Sequence, residues 1–200
     1  MSAQIETFRA AADQFVGLTR RVPDDRWDHP GLGDWTIRSL VGHTSRALKT
    51  VTTYAYKPAA DITLAGAAEY YLAAAAFDQA AVSARGVQAG VDLGDDPVGR
   101  VSAMVEEAMT ALQSTDPDSA IETPFGGIRF GDYVPTRIFE LAVHGLDLAR
   151  ALGESLTLPA NVAEDTVGLL GRIAIARGDG PLLLMALTGR ESLPVGYCVV

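Results

Sequence analysis

The stretch "TIRSLVGHTSRALKTV", residues 36–51, decides the fold class. Ile37, Leu40, Val41, Thr44, Ala47, Leu48 and Val51 recur at intervals of three and four, which lines up one face of an α-helix and no face of a strand. Thr36 stands where an N-cap hydroxyl is needed. Upstream, Ile5, Phe8, Ala12, Phe15 and Val16 carry the same spacing and predict a helix over 3–21, ended by Pro23. Between the two lies the connector "VPDDRWDHPGLGDW" (22–35), with Trp27 and Trp35 as expected core anchors and His29 as an expected solvated loop residue.

Downstream, the pattern predicts an Ala-rich helix over 61–86 with Gly86 and Gly90 marking its exit. A helix follows over 97–114, opened by Pro97 and closed before "STDPDS" (114–119), and another over about 132–152 stops at Gly153. Gly126 and Gly127, flanked by Phe125, Ile128 and Phe130, fit a short hairpin or a lid within 119–131. A helix over 161–177, a brief one at "PLLLMALTGR" (181–190) and an extended tail complete the chain. The simplest architecture is an all-α antiparallel four-helix bundle in residues 1–153, with a short C-terminal segment, 154–200, packed on it.

Two hundred residues suffice for a sizeable core. Sixteen basic against 25 acidic side chains give a net charge of -9, which argues against nucleic acid and anionic membrane as partners. A small molecule or another chain is the expected partner. The absence of a long apolar span or signal-peptide pattern, together with a single cysteine, Cys198, predicts a cytoplasmic protein and a partly packed tail residue without disulfide.

Chemistry enters with "FELAVHGLDLAR", residues 139–150, a helix with apolar residues on almost every side that nevertheless carries Glu140 and His144. Four residues apart, they project from one face, where leaving either buried and unpaired is costly. His43, on the edge of the 36–51 stripe, completes a two-histidine, one-carboxylate set. Such a set suits zinc, nickel or ferrous iron and leaves coordination positions open. A hydrogen-bonded i,i+4 pair and a satisfied core histidine are the competing reading of the same residues. Asp147 reads as a partner for Arg150 more readily than for His144, and Arg137 as a salt-bridge residue more readily than as a contact for an anionic substrate.

"RWDHPGLGDWTIRSLVGHTSRAL" (26–48) and "RIFELAVHGLDLARALG" (137–153) resemble the two signature regions of the mycothiol-dependent maleylpyruvate isomerase family, within the wider DinB-like superfamily of metal-binding helical bundles. "LLLMALTGRESLPVGYCVV" (182–200) also resembles the ending of many members. The resemblance implies a DinB-like bundle with His43, Glu140 and His144 as ligands of a divalent metal, zinc first. It implies mycothiol as cosubstrate, an electrophilic small-molecule acceptor, and isomerisation or S-transfer as the reaction. Members of the superfamily are often dimers, so a homodimer is a further expectation. A non-catalytic metal-binding bundle, acting in stress response or as an interaction module, is the alternative.

Overall fold

The computed structural model describes residues 1–75 and 79–200. The described chain is mostly helical: α1 (Ser2–Thr19), α2 (Ile37–Ala55), α3 (Ala67–Ala74), α4 (Gln79–Val91), α5 (Pro97–Ser114), α6 (Phe130–Leu152), α7 (Ala160–Ala176) and α8 (Gly180–Leu187). Two short antiparallel ribbons interrupt them. β1 (Pro30–Leu32) pairs with β2 (Trp35–Thr36), and β3 (Ala120–Thr123) pairs with β4 (Gly126–Arg129).

α2 is held at its start by partners for three of the four amides that a helix leaves unpaired. Thr36 Oγ1 accepts from the Ser39 amide at 3.1 Å, while the Ile37 and Arg38 amides donate to the His29 and Trp27 carbonyls at 2.9 and 2.8 Å. The connector therefore serves as the cap of α2, and Trp27 is buried beneath it. α5 opens as its sequence predicts, with Pro97 in its first turn and the Asp96 carboxylate accepting from the Gly99 amide at 2.8 Å. α6 ends at Gly153, whose left-handed φ of 77° permits the closing turn. Pro135 removes a donor inside α6, and the Gly131 carbonyl that it would have served accepts instead from Gln4 Nε2 of α1 at 2.8 Å.

α1, α6, α2 and α5 pack in a closed ring, each against the next, around a core that includes Phe8, Phe15, Leu40, Leu48, Leu112, Phe130 and Ile138. α7 covers α6 and α3, burying Leu169 and Ile173 against Phe139. α4 lies on α2; of the two glycines expected at a helix exit, Gly90 stands next to the last residue of α4, Val91, and Gly86 sits inside the helix. A methyl group on Gly42 would meet the Gly90 amide nitrogen at 2.1 Å, and one on Gly86 would meet the Trp35 ring at 2.7 Å. These glycines let two backbones and an indole approach closely, and Gly86 does not end the helix.

The helix expected over 61–86 differs in other ways. Residues 76–78 of that span lie outside the described residues. Residues before Gly66 are extended, because their backbone bonds to the β3–β4 hairpin: the Thr63 and Leu64 amides donate to the Gly127 carbonyl, both at 2.9 Å. The hairpin reading of 119–131 holds, with Pro124 and Phe125 at its turn. The tail after α8 forms no strand, and Arg177 Nη1 donates to the Cys198 and Val199 carbonyls at 3.1 and 2.6 Å. Cys198 itself is exposed, not partly packed, since those contacts hold its backbone alone. Among the described residues no helix is long and apolar enough to cross a membrane.

Candidate metal centre

α2 delivers His43 and α6 delivers Glu140 and His144 to one point where the two helices pack. Each offers a ligand atom, and the three atoms lie within 4.8 Å of one another. Glu140 Oε2 stands 3.4 Å from His144 Nε2 and 3.9 Å from His43 Nε2. Around a tetrahedral ion with bonds of about 2.0–2.2 Å, ligand atoms lie about 3.4 Å apart, so these spacings fit a small divalent cation. All three side chains are mostly shielded, between 15 and 20 % exposed.

The donor atoms are also available to a cation. His43 Nδ1 is buried and has no hydrogen-bond partner among the described residues, and its Nε2 is beyond hydrogen-bonding range of Glu140. Nε2 therefore has no side-chain partner among the described residues and is available as a ligand atom. Glu140, by contrast, is strongly held as an anion. Burial works to raise its pKa, but the His144 hydrogen bond, the Arg137 charge and the Tyr71 hydroxyl outweigh it and leave it at about 2. Burial and the neighbouring His144 charge lower His43 to about 4. For His144 burial is again outweighed, by hydrogen bonds and charge from Asp147 and Glu140, which raise it to about 9.

Asp147 is the first correction to the sequence reading. Its Oδ2 accepts from His144 Nδ1 at 3.0 Å, and among the described residues it forms no ion pair with Arg150, which is exposed. A carboxylate on the far nitrogen directs Nε2 toward the cation position. Trp35 packs against the core as expected, and it does more. It is only half-buried, and its ring lies 4.5 Å from the His43 ring and 6.5 Å from that of His144, with its indole N–H donated to the Ser83 carbonyl at 3.2 Å. It covers the histidines and is more than a core anchor. His29 is exposed, as expected.

A cavity of about 770 Å³ opens beside the cluster, lined in part by His43, Glu140, Tyr54, Tyr70, Tyr71, Phe125 and Phe139. Arg46, Arg85, Arg137 and Arg177 also line it, whereas Glu140 is its one acidic lining residue among the described residues. Arg137 is buried, lies 4.9 and 5.5 Å from the Tyr133 and Tyr70 ring centres, and donates from Nε to Thr136 Oγ1 at 2.9 Å. The salt bridge expected for it is absent among the described residues; two aromatic faces hold it instead. Pro124 and Phe125 bring the hairpin turn onto the cavity.

Tyr71 is the residue that sequence reasoning missed. It donates its hydroxyl proton to Glu140 Oε1 at 2.8 Å and also approaches the Thr136 carbonyl at 3.1 Å. Burial, then the Glu140 charge, push its pKa well above the ordinary range, so it stays a donor. Nothing in the spacing of an Ala-rich helix 69 residues away from Glu140 signals that contact.

A family model described as the mycothiol maleylpyruvate isomerase N-terminal domain matches residues 8–149, a span that contains all three cluster residues. No curated protein and no solved structure gives a significant match.

Proposed function

The chain belongs to the mycothiol maleylpyruvate isomerase N-terminal domain family, and from that premise we propose that it is a metal-dependent enzyme that uses a low-molecular-weight thiol against an electrophilic substrate. His43, Glu140 and His144 hold the metal, zinc being the ion that the nitrogen and oxygen donors and tetrahedral spacing suit best. The observation that carries the reading is the convergence of three donor atoms, from His43, Glu140 and His144, beside a cavity of about 770 Å³. We read the α1–α6–α2–α5 ring as a DinB-like four-helix bundle over residues 1–153, with 154–200 as a segment packed on it in a cytoplasmic protein.

When bound, a divalent ion keeps a thiol ionised at neutral pH. The chain supplies the rest. Trp35 and the aromatic walls exclude water, and the cavity has room for a thiol beside a small acceptor. Arg137, fixed between Tyr70 and Tyr133, offers a permanent positive group to an acceptor that carries a negative charge. Mycothiol is the thiol that the family points to. Its sulfur forms a bond to an alkene carbon of the acceptor while the alkene electron pair moves to the adjacent carbonyl. Isomerisation follows if the new single bond rotates and the sulfur leaves again; S-transfer follows if a proton is taken up and the adduct is released.

Elemental analysis of chelator-washed, zinc-reloaded protein, followed by calorimetry with mycothiol, tests this directly. The expected result is about one zinc per chain, thiol binding that requires the zinc, and thiol-dependent consumption of an unsaturated carbonyl acid. Zinc binding without thiol affinity or electrophile consumption would instead favour a non-catalytic metal-binding module, and absence of zinc would overturn the site itself.

A further inference from the structure

The two oxygens of Glu140 have different partners. Oε2 faces both histidine Nε2 atoms, at 3.4 and 3.9 Å, while Oε1 accepts from the Tyr71 hydroxyl at 2.8 Å. A free carboxylate at a divalent site can bind through one oxygen or through both. Here the second oxygen is already engaged by a charge-assisted hydrogen bond from a neutral donor. The Tyr71 ring is itself packed, with Phe139 at 5.1 Å and Tyr70 at 5.7 Å between ring centres, which restrains the hydroxyl from following a carboxylate that rotates. Tyr71 belongs to α3, and Tyr70, Tyr71, Leu72 and Ala74 of that helix form one wall of the cavity. One hydroxyl therefore joins the wall of the substrate space to the carboxylate of the metal centre.

We propose that Tyr71 is a positioning residue of the metal centre: by holding Oε1 it commits Glu140 to the cation through Oε2 alone, and it ties α3 to metal occupancy. The inference rests on the metal reading above. It differs from a packing role for the same ring, because the ring contacts survive loss of the hydroxyl and the Glu140 contact does not.

Tyr71→Phe removes only the oxygen, and Tyr70→Phe, on the adjacent cavity residue without a Glu140 contact, is its control. Zinc affinity is read by competition with a chromophoric chelator, and coordination by the visible absorption of the cobalt(II)-loaded protein. Tyr71→Phe is expected to bind zinc about 10–100-fold more weakly, the range for loss of a group that orients a ligand. Its cobalt bands should weaken as Glu140 becomes free to bind through both oxygens, while Tyr70→Phe matches the wild type in both measurements. Amide exchange in unaltered protein gives an independent reading, with zinc expected to slow exchange across 67–74. Wild-type affinity and cobalt spectrum in Tyr71→Phe, or exchange in α3 indifferent to zinc, would overturn the proposal and leave the metal centre standing. Failure of the wild type to bind zinc or cobalt at all would overturn both.

Discussion

Asp147 and His144 are three residues apart on α6, a spacing that allows a contact without requiring one. The fold makes it, at 3.0 Å, and so gives the His144 imidazole one orientation. Asp147→Ala should therefore weaken zinc binding about 10–100-fold while leaving the fold intact; chelator competition measures it, and an unchanged affinity would show that the contact is incidental. The three cluster residues also set the pH response of the metal-free protein. His43, lowered from an ordinary 6.5 to about 4, contributes stability above pH 6.5 that is lost as pH falls toward 4. Glu140, lowered from 4.5 to about 2, contributes above pH 4.5 and loses it toward pH 2. His144, raised from 6.5 to about 9, contributes fully below pH 6.5 and loses it as pH rises through 9. In a chelating buffer the melting temperature is therefore expected to peak near pH 6.5. His144→Gln should flatten the decline between pH 6.5 and 9, and an unaltered decline in that variant would place its origin elsewhere.

The elements show a similar division between pattern and contact. α2 was legible to its cap, because Thr36 and the apolar stripe act within a few residues of one another. The role of Gly42 was not, because it depends on α4 lying against it. Since the group that an added methyl would strike at 2.1 Å is backbone, which cannot rotate aside, Gly42→Ala should part α2 from α4. The cost expected for such overpacking is about 1–3 kcal/mol, read by urea unfolding, whereas Gly171→Ala on α7, with open space around it, should lower stability little or not at all. A Gly42→Ala variant as stable as the wild type would mean that the two helices do not approach so closely in solution. Extended residues before α3 and the donor that Gln4 lends to α6 likewise depend on distant partners, the hairpin and Gly131.

For the molecule as a whole, the candidate metal centre would act as a clamp once a cation fills it. It joins α2 to α6, two neighbours in the packed ring, through side chains that are separated by almost a hundred residues. A ligand that binds only the folded chain stabilises it by about 2.7 kcal/mol at 100 times its dissociation constant. For a domain of this size each kcal/mol moves the melting temperature by about 2–4 °C, so saturating zinc should raise it by about 5–11 °C. The same titration of His144→Ala should give no rise. An equal shift in that variant would show that zinc acts at another position.

The sequence by itself determined the helical class, the cap of α2, the opening of α5 at Pro97, the stop at Gly153 and the three candidate ligands. Each of these depends on residues a turn or two apart, or on residue types that few other chemistries demand, and a second family motif strengthened the ligand assignment. Only the tertiary structure decided that Glu140 Oε2 meets both histidines, that Asp147 serves His144, that Trp35 covers the pair and that Tyr71 engages the other Glu140 oxygen. Periodicity tells which face of a helix turns inward; the partner that face meets, and the atom that points at it, are set by how the helices pack.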